Sequence, residues 1–219
     1  MRAGRITASN FYSACHTSIL TPAPTVLNNI CYSYSNKTTT PSIDYGRSHE
    51  KPAISNYFKH MQPFHTDFEV KQCGWFLNEK YPCFGASPDG LIKCKCCGDG
   101  CLEIKCPSSA QGDNSINVPY LHMEGDEIRL SRKHKHCYQV QVQMFITDRD
   151  YCDFVCGVRK IIVERIVKDH ELLADISVRA AEFHRKCVMP EMVFKFFSNK
   201  KEHIFQSFRC KRICKSRQC

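Results

Sequence analysis

Gly85-Ala-Ser-Pro-Asp-Gly-Leu-Ile92, a cysteine-rich turn, and then Cys101-Leu-Glu-Ile-Lys-Cys-Pro107 form the densest chemical signal in the chain. Asp89 closes one strand-like run, and Glu103 and Lys105 flank Ile104 on the next. Side chains alternate along a strand, so Glu103 and Lys105 share one face while Ile104 turns to the other. Two hard carboxylates facing one cleft can hold Mg²⁺, which retains waters and accepts phosphate oxygens. A neighbouring lysine can orient an attacking water or offset charge developing on a phosphate. An isolated Glu-x-Lys is most often a surface pair on a hairpin. The Pro88-Asp89-Gly90 on the preceding run is what sets this one apart.

Working outward, Thr7-Ala-Ser-Asn-Phe-Tyr-Ser-Ala-Cys offers N-cap chemistry followed by helix-tolerant residues. Residues 21–44, rich in Thr, Ser, Asn and Pro, read as a loop. Tyr45 to His60 reads as a helix, with Pro52 near its start or kinking it. Phe68 to Trp75, Cys83 to Ile92, Cys101 to Cys106, Tyr151 to Val158 and Lys160 to Val167 are strand candidates. In His136 to Thr147, Val140, Val142 and Met144 alternate with Gln139, Gln141 and Gln143, a period of two that indicates a strand. Lys168 to Val188 is the clearest helix. The order implies a mixed α/β domain.

Hydrophobic residues make up 42% of the 219 residues, enough for a core, which excludes wholesale disorder. No apolar run is long enough to span a bilayer. The N-terminus has no apolar export segment. The expectation is therefore an intracellular protein, cytoplasmic or nuclear and not secreted, whose 16 cysteines are thiols or metal ligands rather than disulfides. The net charge is +9. Lys195 to Cys219 carries eight Lys or Arg against a single acid, Glu202, so most of that excess lies in the tail. A basic tail suits a polyanion, although many such tails are simply solvated.

Pro88-Asp89 followed by Glu103-Ile104-Lys105 resembles the PD-(D/E)XK nuclease signature. Three further blocks, Arg5-Ile-Thr-Ala-Ser-Asn-Phe11, Tyr45-Gly-Arg-Ser-His-Glu50 and Tyr138-Gln-Val-Gln-Val-Gln-Met144, narrow the resemblance to the YqaJ-type viral recombinase family, which is lambda-exonuclease-like. The likeness runs from residue 1 to about residue 187. It implies a restriction-endonuclease-like α/β core, a central mixed sheet flanked by helices. It also implies a Mg²⁺- or Mn²⁺-dependent deoxyribonuclease, exonucleolytic on linear duplex DNA ends. Asp89 and Glu103 would then be metal-binding carboxylates, the Ile104 carbonyl a further ligand, and Glu50 part of a second metal's shell. Lys105 would contact the scissile phosphate, and Gln139 would be the motif glutamine of a helix, which overrules the period-two reading. Arg2, Arg5, Ser9 and Ser87 match a 5′-phosphate grip in the exonuclease branch. No Arg or Lys occurs between Arg5 and Lys37, so a further gripping arginine in that stretch is missing.

The resemblance also implies a single-strand annealing protein as partner, and leaves an oligomer open; no residue here points to either. A catalytically inactive DNA-binding module of the same fold is the alternative, and the intact Asp, Glu and Lys set argues against it. A sequence-specific endonuclease of the same superfamily is a third reading, disfavoured by the recombinase blocks.

Cys94, Cys96, Cys97 and Cys101 crowd the turn between the two key runs, with Cys106 just beyond. Cys94, Cys97 and Cys101 have spacings that suit zinc, while free thiols are the plainer alternative. Cys210, Cys214 and Cys219 could begin a further zinc module. Residues 1–190 are thus expected to form the exonuclease domain, and 191–219 a basic, cysteine-containing tail. A chain that starts directly at its first motif is expected to be a trimmed domain or an incomplete reading frame.

Overall fold

The computed structural model describes residues 2–32, 39–110 and 118–199. Its centre is a five-stranded mixed sheet built from β2 (Glu69–Lys71), β5 (Gly90–Cys94), β6 (Gly98–Lys105), β9 (Tyr151–Gly157) and β10 (Ile161–Val167), in the order β10-β9-β6-β5-β2. Neighbours are antiparallel except β6 and β9, which are parallel. A parallel pair needs a crossover connection. Here it comprises a hairpin of β7 (Leu121–Glu124) and β8 (Glu127–Leu130), followed by helix α4 (Lys135–Thr147). The hairpin lies outside every element expected from the sequence. Glu164 on β10, itself buried, ties it down by accepting from Leu130 N (2.5 Å) and Arg132 Nη2 (2.8 Å).

Strand alternation divides β6 and β9 between two helices. Leu102, Ile104 and Val155 face α3 (Pro41–Met61), meeting Ala53 and Tyr57. Cys101, Cys152, Phe154 and Cys156 face α4, meeting Cys137, Val140 and Met144. The opposite side of α4, with Val142 and Ile146, packs on a third layer. That layer holds a small sheet of β1 (Ile6–Thr7), β4 (Phe84–Ala86) and β3 (Phe76–Leu77), with α1 (Phe11–His16), α2 (Pro24–Cys31) and α5 (His170–Phe183). Helix α4 is therefore apolar on two sides. Two interleaved helical stripes, Val140 with Met144 and Val142 with Ile146, produce the alternation that imitates a strand.

Several sequence expectations change. Residues 21–44 are not one loop: α2 lies within them, started by Pro24, and α3 begins at Pro41 behind a Thr40 cap that accepts from Ile43 N (3.3 Å). Residues 33–38 are outside the described residues. Pro52 sits in the interior of α3, and the helix continues through it to bury Ala53 and Tyr57. The first helix does not start at Thr7; a 3₁₀ turn over Ala8–Asn10 precedes the six-residue α1. The run from Cys83 to Ile92 splits into β4 and β5, which join different sheets, because Pro88 between them has no N–H for a ladder. The run from Phe68 to Trp75 shortens to β2, and β3 begins beyond it.

Helix α5 starts at an Asp169 cap (Leu172 N to Oδ1, 2.9 Å) and ends at Phe183, where a π-helical segment over His184–Val188 leads into α6 (Met189–Phe194). Glu191, 1% exposed, accepts from Tyr32 Oη (2.9 Å) and Phe197 N (2.8 Å), fastening this end to the first helices. Residues 200–219, with most of the basic tail and its three cysteines, lie outside the described residues.

One polar lock joins α3 to the sheet. Asp153, fully buried on β9, accepts from Tyr57 Oη (2.6 Å) and from Arg165 Nε (2.8 Å) and Nη2 (2.9 Å), and the guanidinium lies 4.0 Å from the centre of the Tyr151 ring. Burial raises the Tyr57 hydroxyl far above the ordinary tyrosine value, and the Asp153 charge adds to it, so the phenol remains a donor. Tyr57→Phe should lower stability by about 1–3 kcal/mol. Asp153→Ala, which strands a guanidinium, should cost about 3–5 kcal/mol. Urea unfolding checks both, and a Tyr57→Phe midpoint equal to the parent's would show that the lock is energetically idle.

Candidate active site

The site forms where β5 leaves the sheet. Register pairs Gly90 with Leu102, and Asp89 N still donates to Leu102 O (3.0 Å). One pair further along, the Ile104 N–H has no β5 residue opposite, and Asp89 Oδ2 accepts it instead (2.7 Å). A strand residue directs its N–H and C=O to the same edge. The Ile104 carbonyl therefore points to the Asp89 side of the sheet.

Glu103 points to the other helix, α4, and is only 2% exposed. Its Oε2 accepts from Gln143 Nε2 (2.6 Å), and its Oε1 from Gln139 Nε2 (2.6 Å) and from Lys105 Nζ. Gln139 and Gln143 are one helical turn apart, so a single face of α4 grips both oxygens. Gln141 points away, bridging Val167 O (2.8 Å) and Asp169 N (2.8 Å) at the start of α5. Glu50 is half-buried on α3, close enough for its charge to act on both Asp89 and Lys105. The structure thus brings Glu50, Asp89, Glu103, Lys105 and Gln139 together.

The electrostatics are those of crowded negative charge. Burial, and then the Glu103 carboxylate, push the Asp89 carboxyl up to about 8, against the pull of Lys105 and the Ile104 amide. Burial acts to lower the Lys105 ammonium, but Glu103 and Asp89 outweigh it and hold it above the ordinary lysine value. His136, at the start of α4, is pushed down to about 3 by burial and by the Lys105 charge, so its ring is neutral beside the ammonium. A hard dication fits this donor set: carboxylates that repel one another, with a main-chain carbonyl on the same strand edge.

The remaining candidates divide. Arg2 Nη2 donates to Ser87 Oγ (3.3 Å) and its guanidinium lies 4.8 Å from the Trp75 ring centre, two residues upstream of Asp89 in the case of Ser87. Trp75 occupies the space above Gly85, where an added Cβ would come within 2.0 Å of the indole. Arg5 turns to Pro82 O (3.1 Å), and Ser9 shares a hydrogen bond with Thr7 (3.0 Å) inside the 3₁₀ turn. No long helix begins there to gather an anion. Cys101 does not join Cys94 and Cys97. Strand alternation places it on the Glu103 face, where its Sγ is 3.0 Å from Thr147 Oγ1. His65 joins Cys94 and Cys97 in its place. Gln143 joins the site from the same face of α4 as Gln139, and the sequence reading had not assigned it there. His136 and Trp75 carried no local signal.

Asp89 gives a pH signature in metal-free protein. Its folded-state value of about 8 stands above the ordinary 3.8, so the folded chain holds the extra proton between these limits. Stability therefore falls as pH rises through that window, and the penalty is complete above about pH 8. Asp89→Asn should stabilise the chain in EDTA, clearly at about pH 8.5 and little at about pH 4. Urea unfolding at the two pH values checks this; a gain independent of pH would contradict it.

Comparison with known proteins gives the chain its fold and its family. "Uncharacterized protein R354" of Acanthamoeba polyphaga mimivirus is 28% identical over 120 residues, covering 52% of this chain and only 19% of that protein's own length. Among solved structures, LHK-Exo, an alkaline exonuclease from Laribacter hongkongensis solved in complex with dAMP, superposes with a TM-score of 0.62 at 21% identity, over 93% of this chain and 96% of that one. A phage-related exonuclease from Haemophilus somnus 129PT gives 0.56 at 13% identity, over 84% and 94%. The SOX–DNA complex gives 0.54 at 12%, over 87% and 67%. These likenesses establish a shared fold, an α/β architecture on the lambda-exonuclease-like plan. Residues 1–150 match the YqaJ-like viral recombinase domain, the span that contains every element holding Asp89, Glu103 and Lys105, and the chain belongs to that family.

Proposed function

We propose that the chain is a divalent-cation-dependent deoxyribonuclease of the PD-(D/E)XK type that digests linear duplex DNA from its ends. The observation that carries this reading is the convergence of Asp89, Glu103, Lys105 and the Ile104 carbonyl edge at the point where β5 departs. Family membership supports it, as do the names of the similar structures, exonucleases in two cases and a DNA complex in the third.

Asp89, Glu103 and the Ile104 carbonyl would hold magnesium or manganese, with Glu50 serving a second position, and the bound cation would supply Lewis-acid polarisation of the phosphate and a lowered pKa for an attacking water. The protein's own groups do the rest. Gln139 and Gln143 each donate to one oxygen of Glu103 and hold its side chain in one orientation. Lys105 remains protonated, so it acts as a positive contact to a phosphate oxygen and not as a general base. His136 stays neutral at the pH where such chemistry runs, so it adds no second positive charge beside Lys105. The Arg2–Ser87 pair, with the Arg2 guanidinium over Trp75, would receive a terminal phosphate, since charge-assisted bonds to a dianion exceed those to a hydroxyl.

The test is digestion of end-labelled linear duplex beside a covalently closed circle, with Mg²⁺ and then with EDTA. Linear DNA should be degraded only with the cation, and the circle should persist. Asp89→Asn and Glu103→Gln should each lose roughly 10²-fold or more of the rate, because the Lewis-acid role depends on those charges. Arg2→Ala should slow 5′-phosphorylated ends about 10- to 100-fold and leave 5′-hydroxyl ends nearly unchanged. Cutting of the circle at the linear rate would replace the exonuclease with an endonuclease. Near-normal cleavage by Asp89→Asn would remove the site altogether.

A further inference from the structure

At the opposite end of the β5–β6 hairpin, His65, Cys94, Cys96 and Cys97 turn one ligand atom each toward a common point, all within 4.8 Å of one another. We propose that these four residues form a structural zinc site that clamps the hairpin tip to the segment following α3.

The spacings suit a tetrahedron. Zinc bonds of about 2.3 Å to sulfur and about 2.0–2.1 Å to nitrogen give edges of roughly 3.8 Å between sulfurs and roughly 3.6 Å between sulfur and nitrogen. Cys94 and Cys96 Sγ are 3.5 Å apart and Cys96 and Cys97 3.8 Å. His65 Nδ1 stands 3.6 Å from Cys94, 3.1 Å from Cys96 and 3.6 Å from Cys97. The sulfur separations are far outside an S–S bond of about 2.05 Å. Four protein ligands close the coordination shell, which is the hallmark of a structural and not a catalytic zinc.

The surroundings are built for anionic sulfur. Cys97 N donates to Cys94 Sγ (3.3 Å), and the Thr66 backbone amide donates to Cys96. The Arg165 guanidinium reaches Cys97 as well as Asp153. Three thiolates and a neutral imidazole around Zn²⁺ leave one net negative charge, beside the guanidinium that Arg165 shares with Asp153. The His65 ring is held by stacking on buried Phe68, with centroids 5.0 Å apart and planes at 19°. Lys95 N bonds to Thr66 O (2.9 Å), joining the two segments that supply ligands. Gly98, at φ +75°, makes the left-handed reversal that returns the chain from Cys97 into β6.

The consequence reaches the other end of the hairpin. Cys94 pairs with Gly98, and the same ladder sets Gly90 against Leu102. A slip of one residue would turn Glu103 and Lys105 to the α3 face. A pinned tip fixes the register that presents Asp89 to Ile104.

The experiment is metal analysis of the full chain purified without chelator, with cobalt substitution as the spectroscopic readout. Because the chain has other cysteines, the decisive quantity is the difference between variants. Cys96→Ser should lose one equivalent of zinc relative to the parent, together with the thiolate-to-cobalt absorption and the visible bands of tetrahedral cobalt, whereas Cys101→Ser should retain them. His65→Cys keeps four ligands, so it should fold, keep its metal, and show a cobalt spectrum shifted toward that of four sulfurs. Equal zinc in the parent and in Cys96→Ser would overturn the site. So would an unshifted cobalt spectrum in His65→Cys, or a disulfide mapped between Cys94 and either neighbour.

Discussion

A carboxylate with 2% of its surface exposed is costly to bury unless donors meet both of its oxygens, and Glu103 sets that demand at the centre of this fold. Gln139, Gln143 and Lys105 meet it. Two of these come from α4, so α4 must lie across β6 with one particular face down. That helix is also the crossover joining β6 to its parallel partner β9, so a single polar cluster fixes the crossover, the strand order and the direction of the acidic side chains. In the proposed function the same donors that satisfy Glu103 would hold it toward a cation, which would join stability and chemistry in one group.

The other constraints act at a distance from this point. Helix α4 is pressed between the central sheet and the layer of α1, α2, α5 and the small sheet, which leaves it little freedom to tilt. On the opposite face, the Tyr57–Asp153–Arg165 lock holds α3 against β9, and α3 carries Glu50 toward Asp89. The hairpin of β5 and β6 connects the proposed catalytic site, where β5 leaves the sheet, with the His65 and cysteine cluster at the tip. Arg165 ties the tip to the α3 lock, because its guanidinium pairs with Asp153 and also interacts with Cys97.

What was legible in the chain depends on how local the signal is. Glu103 and Lys105 could be placed on one face from strand alternation alone, since that period acts over three residues. Pairing them with Asp89 needed the family pattern, because fourteen residues separate Asp89 from Glu103 and only the ladder brings them together. Helix α4 misread as a strand by period because both its faces are buried. Helix α2 was hidden in a stretch of Thr, Asn and Pro, although Pro24 and the buried Leu27, Ile30 and Cys31 are a helix start and a helical stripe. Cys101 was grouped with Cys94 and Cys97 on linear spacing, which ignores the pleat that turns it toward Thr147. His65 could not be found that way, since it reaches Cys94 from across the β2–β5 pair.

The central claim is that Asp89 and Glu103, positioned by the α4 glutamines, hold a hard dication. It is tested most directly by Mn²⁺ binding in the absence of DNA, followed through loss of the electron paramagnetic resonance signal of the free aquo ion. Manganese favours oxygen ligands over thiolates, so the cysteine cluster should not obscure the result. The parent should bind Mn²⁺ and Mg²⁺ should compete for it, while Asp89→Asn and Glu103→Gln should leave the free-ion signal nearly undiminished. Mn²⁺ binding by both variants that matches the parent would contradict the account.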